Sequence, residues 1–119
     1  MRATGKKFEQ LATRWLQARG VQPLQRNFSC RVGEIDLIAV DGASLVFVEV
    51  RARSNPRFAS AAASVDRRKQ QRLLRAAQCF LLSNPQLAHM PCRFDVIAIE
   101  PRQSPAQHGI RWIRGAFTQ

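Results

Sequence analysis

Hydrophobic spacing divides the chain into two helical stretches and a set of strand-like runs. In TGKKFEQLATRWLQARG, from about Thr4 to Arg19, the residues Phe8, Leu11, Ala12, Trp15 and Leu16 fall at helical spacing, and Gly20 supplies a stop. QRNFSCRVG then reads as a strand, and EIDLIAV and SLVFVEVR as two more, joined by the Asp-Gly turn signal of DGA. RSNPRFASAAAS is a small-residue loop, after which Ser64 offers an N-cap to VDRRKQQRLLRAAQCFLL, with Asp66 in the first turn. Leu73, Leu74, Ala77, Phe80 and Leu81 form the buried stripe of this helix, and SNP ends it. RFDVIAIE is a further strand, PRQSPAQHG a loop, and IRWIRGAF a last strand or an extended tail. The order helix, three strands, helix, strand and tail predicts a single α/β domain over residues 1–119, with a mixed sheet.

Acidic residues interrupt the greasiest of these runs. LVFVEVR is the composition of a central strand, where an ionised carboxylate is costly unless something binds it. Period two puts Glu34, Asp36, Ile38 and Val40 on one face of the first hairpin strand, opposite Ile35, Leu37 and Ala39. In the second strand Leu45, Phe47, Glu49 and Arg51 share a face. If Gly42 and Ala43 form the turn, Asp36 lies opposite Glu49; if Asp41 and Gly42 form it, Glu34 does, with Asp36 on the diagonal. Directly opposed like charges destabilise a strand pair. A hard divalent cation, Mg²⁺ or Mn²⁺, relieves that repulsion. The plainer alternative is an internal salt bridge of Glu49 with Arg51 or another arginine. Asp95 stands before an apolar run with no acidic companion nearby and reads as structural.

Charge narrows the partner. Lys and Arg number 19 against 8 Asp and Glu, a formal net charge of +11 that works against compaction and points to a polyanion, DNA or RNA before a membrane surface. The excess is mostly arginine, which suits bidentate phosphate contacts. Arg67, Arg68, Lys69, Arg72 and Arg75 give the second helix a basic exposed side. Cys30, Cys79 and Cys92 lack metal-ligand spacing and read as small buried thiols; His89 and His108 read as loop residues. No apolar run reaches the length of a membrane span and no signal-peptide pattern opens the sequence, so cytoplasmic residence is the expectation.

The runs GEIDLIAVDGASLVFVEVRAR, AAASVDRRKQQRLLRAAQCFL and RFDVIAI closely resemble the YraN-type family of small bacterial proteins, over nearly the whole chain. That family is similar to the PD-(D/E)XK nuclease superfamily and to archaeal Holliday-junction resolvases. The resemblance implies a restriction-endonuclease-like αβββαβ core, with the mixed sheet flanked by helices. It implies that Asp36 and Glu49 are the metal-binding acids, with the carbonyl of Val50 as a further ligand of Mg²⁺ or Mn²⁺ and Glu9 completing the site. Glu34 adjoins it. Arg51 stands where the superfamily has lysine, and a guanidinium does not serve as a base; it still stabilises negative charge on a phosphate. Lys69 is a candidate substitute, set against the plainer reading that it contacts backbone phosphates like its arginine neighbours.

Two readings stay open at this stage. In the first, the protein is a metal-dependent endonuclease acting on DNA or RNA, with branched DNA as the substrate the resemblance suggests. Arg51 then meets the scissile phosphate, and Arg53, Arg57, Arg67, Arg68, Lys69, Arg72 and Arg75 hold flanking backbone. In the second, it is a nucleic-acid-binding module without catalysis on a nuclease scaffold. Junction-resolving relatives act as dimers, which makes a homodimer an expectation of the same resemblance.

Overall fold

The computed structural model describes residues 3–52, 66–100 and 109–117. Arg53, Arg57, Ser64 and His108, with the loops expected around them, lie outside these residues. The chain runs α1 (Ala3–Gln17), β1 (Gln22–Cys30), β2 (Gly33–Asp41), β3 (Ser44–Ala52), α2 (Arg67–Ser83), β4 (Cys92–Glu100) and β5 (Gly109–Phe117), with a 3₁₀ turn at Pro85–Leu87 after α2. The five strands form one sheet in the order β1-β2-β3-β4-β5. All neighbours are antiparallel except β3 and β4, whose parallel pairing the α2 crossover makes possible.

The sheet is the middle of three layers. On one face Ile38, Leu45, Phe47, Phe94 and Val96 pack against Leu73, Ala76, Ala77 and Phe80 of α2. On the other, Leu37, Ala39, Val46, Val48, Ile97 and Ile99 pack against Ala12 and Leu16 of α1, with Phe8, Leu11 and Trp15 at the margin. Every apolar residue read into the α1 stripe is in that layer. In α2 the fully buried positions are Leu73, Ala76, Ala77 and Phe80, while Leu74 and Leu81 are partly buried beside them. Gly33 allows the β1–β2 turn to approach α2 closely: a Cβ there would lie 3.1 Å from the Arg72 carbonyl oxygen.

The segment IRWIRGAF is a strand and not a tail, because Asp95 anchors it. Asp95 is buried at 1% exposure, where the β4–β5 register shifts between Phe94 and Val96. Its carboxylate accepts from Gly115 N at 2.9 Å and Trp112 Nε1 at 2.8 Å on β5, and from Arg93 Nε and Nη2 at 2.9 Å each. Gly115, at φ +60, takes a backbone conformation that favours glycine. Trp112 also meets Trp15 of α1 edge to face, with ring centroids 6.2 Å apart. Arg93 is shared with Asp41 at 2.8 Å, tying β4 to the end of β2. Asp95 is structural, as its sequence context suggests.

Two local expectations are corrected. The N-cap of α2 is Asp66 itself, in extended backbone at ψ 175° with its side chain accepting from Lys69 N, so it precedes the first turn. The strict alternation read into β2 also fails at Asp36. Ile35 packs with the α2 layer, whereas Leu37 packs with the α1 layer. Opposite Asp36 by register, between the pairs Phe28↔Ile35 and Arg26↔Leu37, Asn27 has a left-handed φ of 56°. The strand pair turns over at that point without changing register. β1 is an edge strand, which is why Pro23, with no N–H to give, is tolerated beside its register shift.

Candidate active site

The β2–β3 hairpin turns at Gly42 and Ala43, because Asp41 pairs with Ser44. Gly42 has φ +61, as the first position of a II′ turn requires. This is the register that sets Asp36 opposite Glu49. Described backbone pairing ends one step earlier, at Leu37↔Val48. Beyond it the Asp36 side chain takes over the ladder's work, Oδ2 accepting from Val50 N at 2.8 Å. Between the parted strands lies a cleft of about 160 Å³ lined by Phe8, Glu9, Glu34, Asp36, Glu49, Val50, Arg51, Ala52 and Lys69.

The fold thus gathers Asp36, Glu49, Val50, Arg51, Glu9 and Glu34 at one place, from α1, β2 and β3. Lys69 arrives from α2. Its backbone N–H is fixed at 2.8 Å by the Asp66 cap, and its Nζ stands 3.3 Å from Glu49 Oε2. Lys69 thus faces Glu49 at the cleft while its side chain remains 35% exposed. Arg67, Arg68, Arg72 and Arg75 do remain exposed on the outer side of α2. In sequence, Lys69 was singled out only through the resemblance, as a candidate substitute for the lysine that Arg51 replaces.

Glu49 is 5% exposed. Burial, first, and the neighbouring Asp36 carboxylate push its carboxyl up to about 7, against the pull of Lys69 and Arg51. Arg51 Nε stands 3.3 Å from the same Oε2 and makes no hydrogen bond, although it is buried. The salt bridge weighed in the sequence is therefore present, and it is doubled by Lys69.

The donor set limits the metal this site would hold. Among the described residues no group of three or more His, Cys, Asp or Glu side chains is gathered closely enough for an ion. Glu9 is buried in the cleft wall without completing such a cluster. Two hard carboxylates that repel each other, with a cleft open to water, fit Mg²⁺ or Mn²⁺, which keep several waters and use one or two carboxylates. They do not fit zinc, which takes three or four protein ligands.

The element order and the five-stranded mixed sheet between two helices are consistent with a restriction-endonuclease-like α/β core. The chain belongs to Uncharacterised protein family UPF0102, whose profile matches residues 8–99. It is 52% identical to a UPF0102 protein of Saccharophagus degradans over 115 residues, covering 97% of this chain and 92% of the relative. Identity to the UPF0102 protein of Alcanivorax borkumensis is 48% over 114 residues, 96% and 90% of the two chains. For that of Aeromonas hydrophila it is 52% over 114 residues, 95% and 83%. Among the described residues no helix is long and apolar enough to cross a membrane.

Proposed function

We propose that the cleft is a divalent-cation-dependent phosphodiester hydrolysis site acting on nucleic acid, DNA first, within the PD-(D/E)XK superfamily. The observation that carries this reading is the meeting, in one small cleft, of two acids and two cations: Asp36 and Glu49 beside Arg51 and Lys69. Asp36, Glu49 and the Val50 carbonyl would hold Mg²⁺ or Mn²⁺, which when bound polarises a phosphate oxygen and activates water. Asp36 keeps its position because Val50 N–H fixes one carboxylate oxygen. Arg51 presents a permanent charge to a phosphate entering the cleft. Lys69 carries an amine that can exchange a proton with water at Nζ, which the guanidinium of Arg51 cannot do. It restores the chemistry that the arginine on β3 removes. The exposed arginines of α2 supply sequence-independent contacts to flanking phosphates.

One observation favours the alternative, a nucleic-acid-binding module without catalysis: Glu49 is already satisfied by Arg51 and Lys69, each at 3.3 Å. Purified protein incubated with linear and branched DNA, with and without Mg²⁺ or Mn²⁺, separates the two. Cleavage that requires metal, and that is lost in Asp36→Ala and in Glu49→Ala, is the expected result. Binding without cleavage on every substrate and with either metal would establish the alternative.

The basic side of α2 makes a separate prediction. Neutralising Arg67 and Arg68 together should reduce the slope of log K against log salt on duplex DNA by about 1.8, two phosphate contacts at about 0.9 each. An unchanged slope would remove these residues from the interface.

A further inference from the structure

The chain has two tryptophans, and the fold brings both together on the α1 side of the sheet, across it from the basic helix α2. Trp15 comes from the last turn of α1 and Trp112 from β5, and they meet edge to face with ring centroids 6.2 Å apart. Trp112 is fixed by its Nε1–H bond to Asp95 at 2.8 Å. Each ring also carries an arginine. Arg19 follows Trp15 by four residues, the spacing of neighbours on a helix, and its Cζ lies 3.5 Å from the Trp15 ring centroid. Its Nη1 donates to the Trp15 carbonyl at 3.2 Å, at the end of the helix. Arg114 follows Trp112 by two, which puts both on one face of β5, and its Cζ lies 3.9 Å from the Trp112 centroid.

Both arginines are exposed, while the rings beneath them are half-buried. Among the described residues neither is ion-paired, unlike Arg51 and Arg93, whose charges meet Glu49 and the pair Asp41 and Asp95. A guanidinium held over an indole keeps N–H donors for an anion and has less rotamer freedom left to lose on binding it. Two such arginines, linked through the Trp15–Trp112 contact, are a preorganised pair of phosphate contacts.

Register places the pair beside the cleft. Val50, in the cleft wall, pairs with Ile97, and Ile97 pairs with Trp112. Trp112 therefore lies at the level of Val50 along the sheet, two strand spacings or roughly 10 Å across it. Along α1, Trp15 stands six residues after Glu9, itself in the cleft wall, a rise of about 9 Å.

We propose, building on the reading of the cleft as a nucleic-acid site, that Arg19 and Arg114, carried on Trp15 and Trp112, form a second contact surface for the sugar-phosphate backbone. The cleft takes Glu9 from α1 and Lys69 from α2, so it opens between the two helices. The α2 arginines hold the nucleic acid on one side of it, and the arginine–tryptophan pair holds the same molecule on the other. Recognition is of phosphate and independent of base sequence.

Because the chain has no other tryptophan, intrinsic fluorescence reports on this surface alone. The full chain is titrated with labelled linear and branched DNA in EDTA, so that cleavage plays no part. Anisotropy of the DNA label measures binding, and acrylamide quenching measures access to the tryptophans. Saturating DNA is expected to shield the tryptophans from acrylamide in the wild type, and also in protein with Arg67 and Arg68 neutralised. The double variant Arg19→Gln, Arg114→Gln, with a native circular dichroism spectrum, is expected to lower the slope of log K against log salt by about 1.8, two phosphate contacts at about 0.9 each. Binding by the wild type with unchanged acrylamide quenching, or a wild-type salt slope in the double variant, would overturn this surface and leave the cleft reading standing. No binding of either DNA by the wild type would overturn the nucleic-acid reading of the cleft and this surface with it.

Discussion

Asp95→Ala is expected to destabilise the folded protein by about 3–5 kcal/mol, the range for removing one partner of a buried charged pair. The carboxylate of Asp95 accepts four hydrogen bonds, two from Arg93 and one each from Trp112 Nε1 and Gly115 N. Alanine removes both acceptor oxygens, and with them all four hydrogen bonds, at a position only 1% exposed. Arg93 keeps Asp41 at 2.8 Å, which limits its share of the loss. Trp112 and Gly115 lose the contact that holds β5 onto β4. Asp95→Asn, which keeps one acceptor oxygen, should fall between wild type and alanine. Urea denaturation followed by fluorescence measures both variants, and a loss below about 1 kcal/mol for alanine would contradict the assignment.

Glu49→Gln should do the opposite and stabilise the protein. The folded-state carboxyl is raised from 4.5 to about 7, so the folded protein binds more protons than the unfolded chain between those values. Below pH 4.5 the group is protonated in both states and costs nothing. As pH rises through the window its ionisation erodes stability, and above about 7 the full penalty applies. A shift of that size corresponds to roughly 3 kcal/mol as an upper value. The stability difference between Glu49→Gln and wild type should therefore be near zero at pH 4, grow with pH, and level off above 7. Arg51 and Lys69, 27% and 35% exposed, reach water when the charge is removed, which limits the penalty at their end. A glutamine variant that is less stable at pH 8 would show that the two ion pairs outweigh burial. A stability cost carried by Glu49 is what a residue retained for function would impose.

What the sequence made legible and what it did not divide along the range of the interactions. Both helices followed from 3.6-residue spacing, and the acids came together because a two-residue turn after Asp41 fixes the register of everything behind it. The alternation in β2 misled only at Asp36, where the left-handed Asn27 on a neighbouring strand turns the pair over. No pattern within β2 carries that information. Lys69 was ambiguous for a similar reason: whether the first turn of α2 points at Glu49 depends on how the crossover seats the helix on β3. Asp66 was placed inside the helix it caps because Ser64 offered an equally good cap. The partners of Asp95 on β5 lie 17 and 20 residues away, beyond any local spacing rule.

The central claim, that Asp36 and Glu49 form a site for a divalent cation, can be tested without any nucleic acid. Titration of the protein with Mn²⁺, read by the loss of free-ion electron paramagnetic resonance signal, should show one saturable site in the wild type. That site should vanish in Asp36→Asn, a variant in which the amide oxygen can still accept from Val50 N. Mg²⁺ should compete for the same site. No saturable Mn²⁺ binding by the wild type, or binding unchanged in Asp36→Asn, would contradict the account and leave the cleft a salt-bridged wall of a nucleic-acid-binding module.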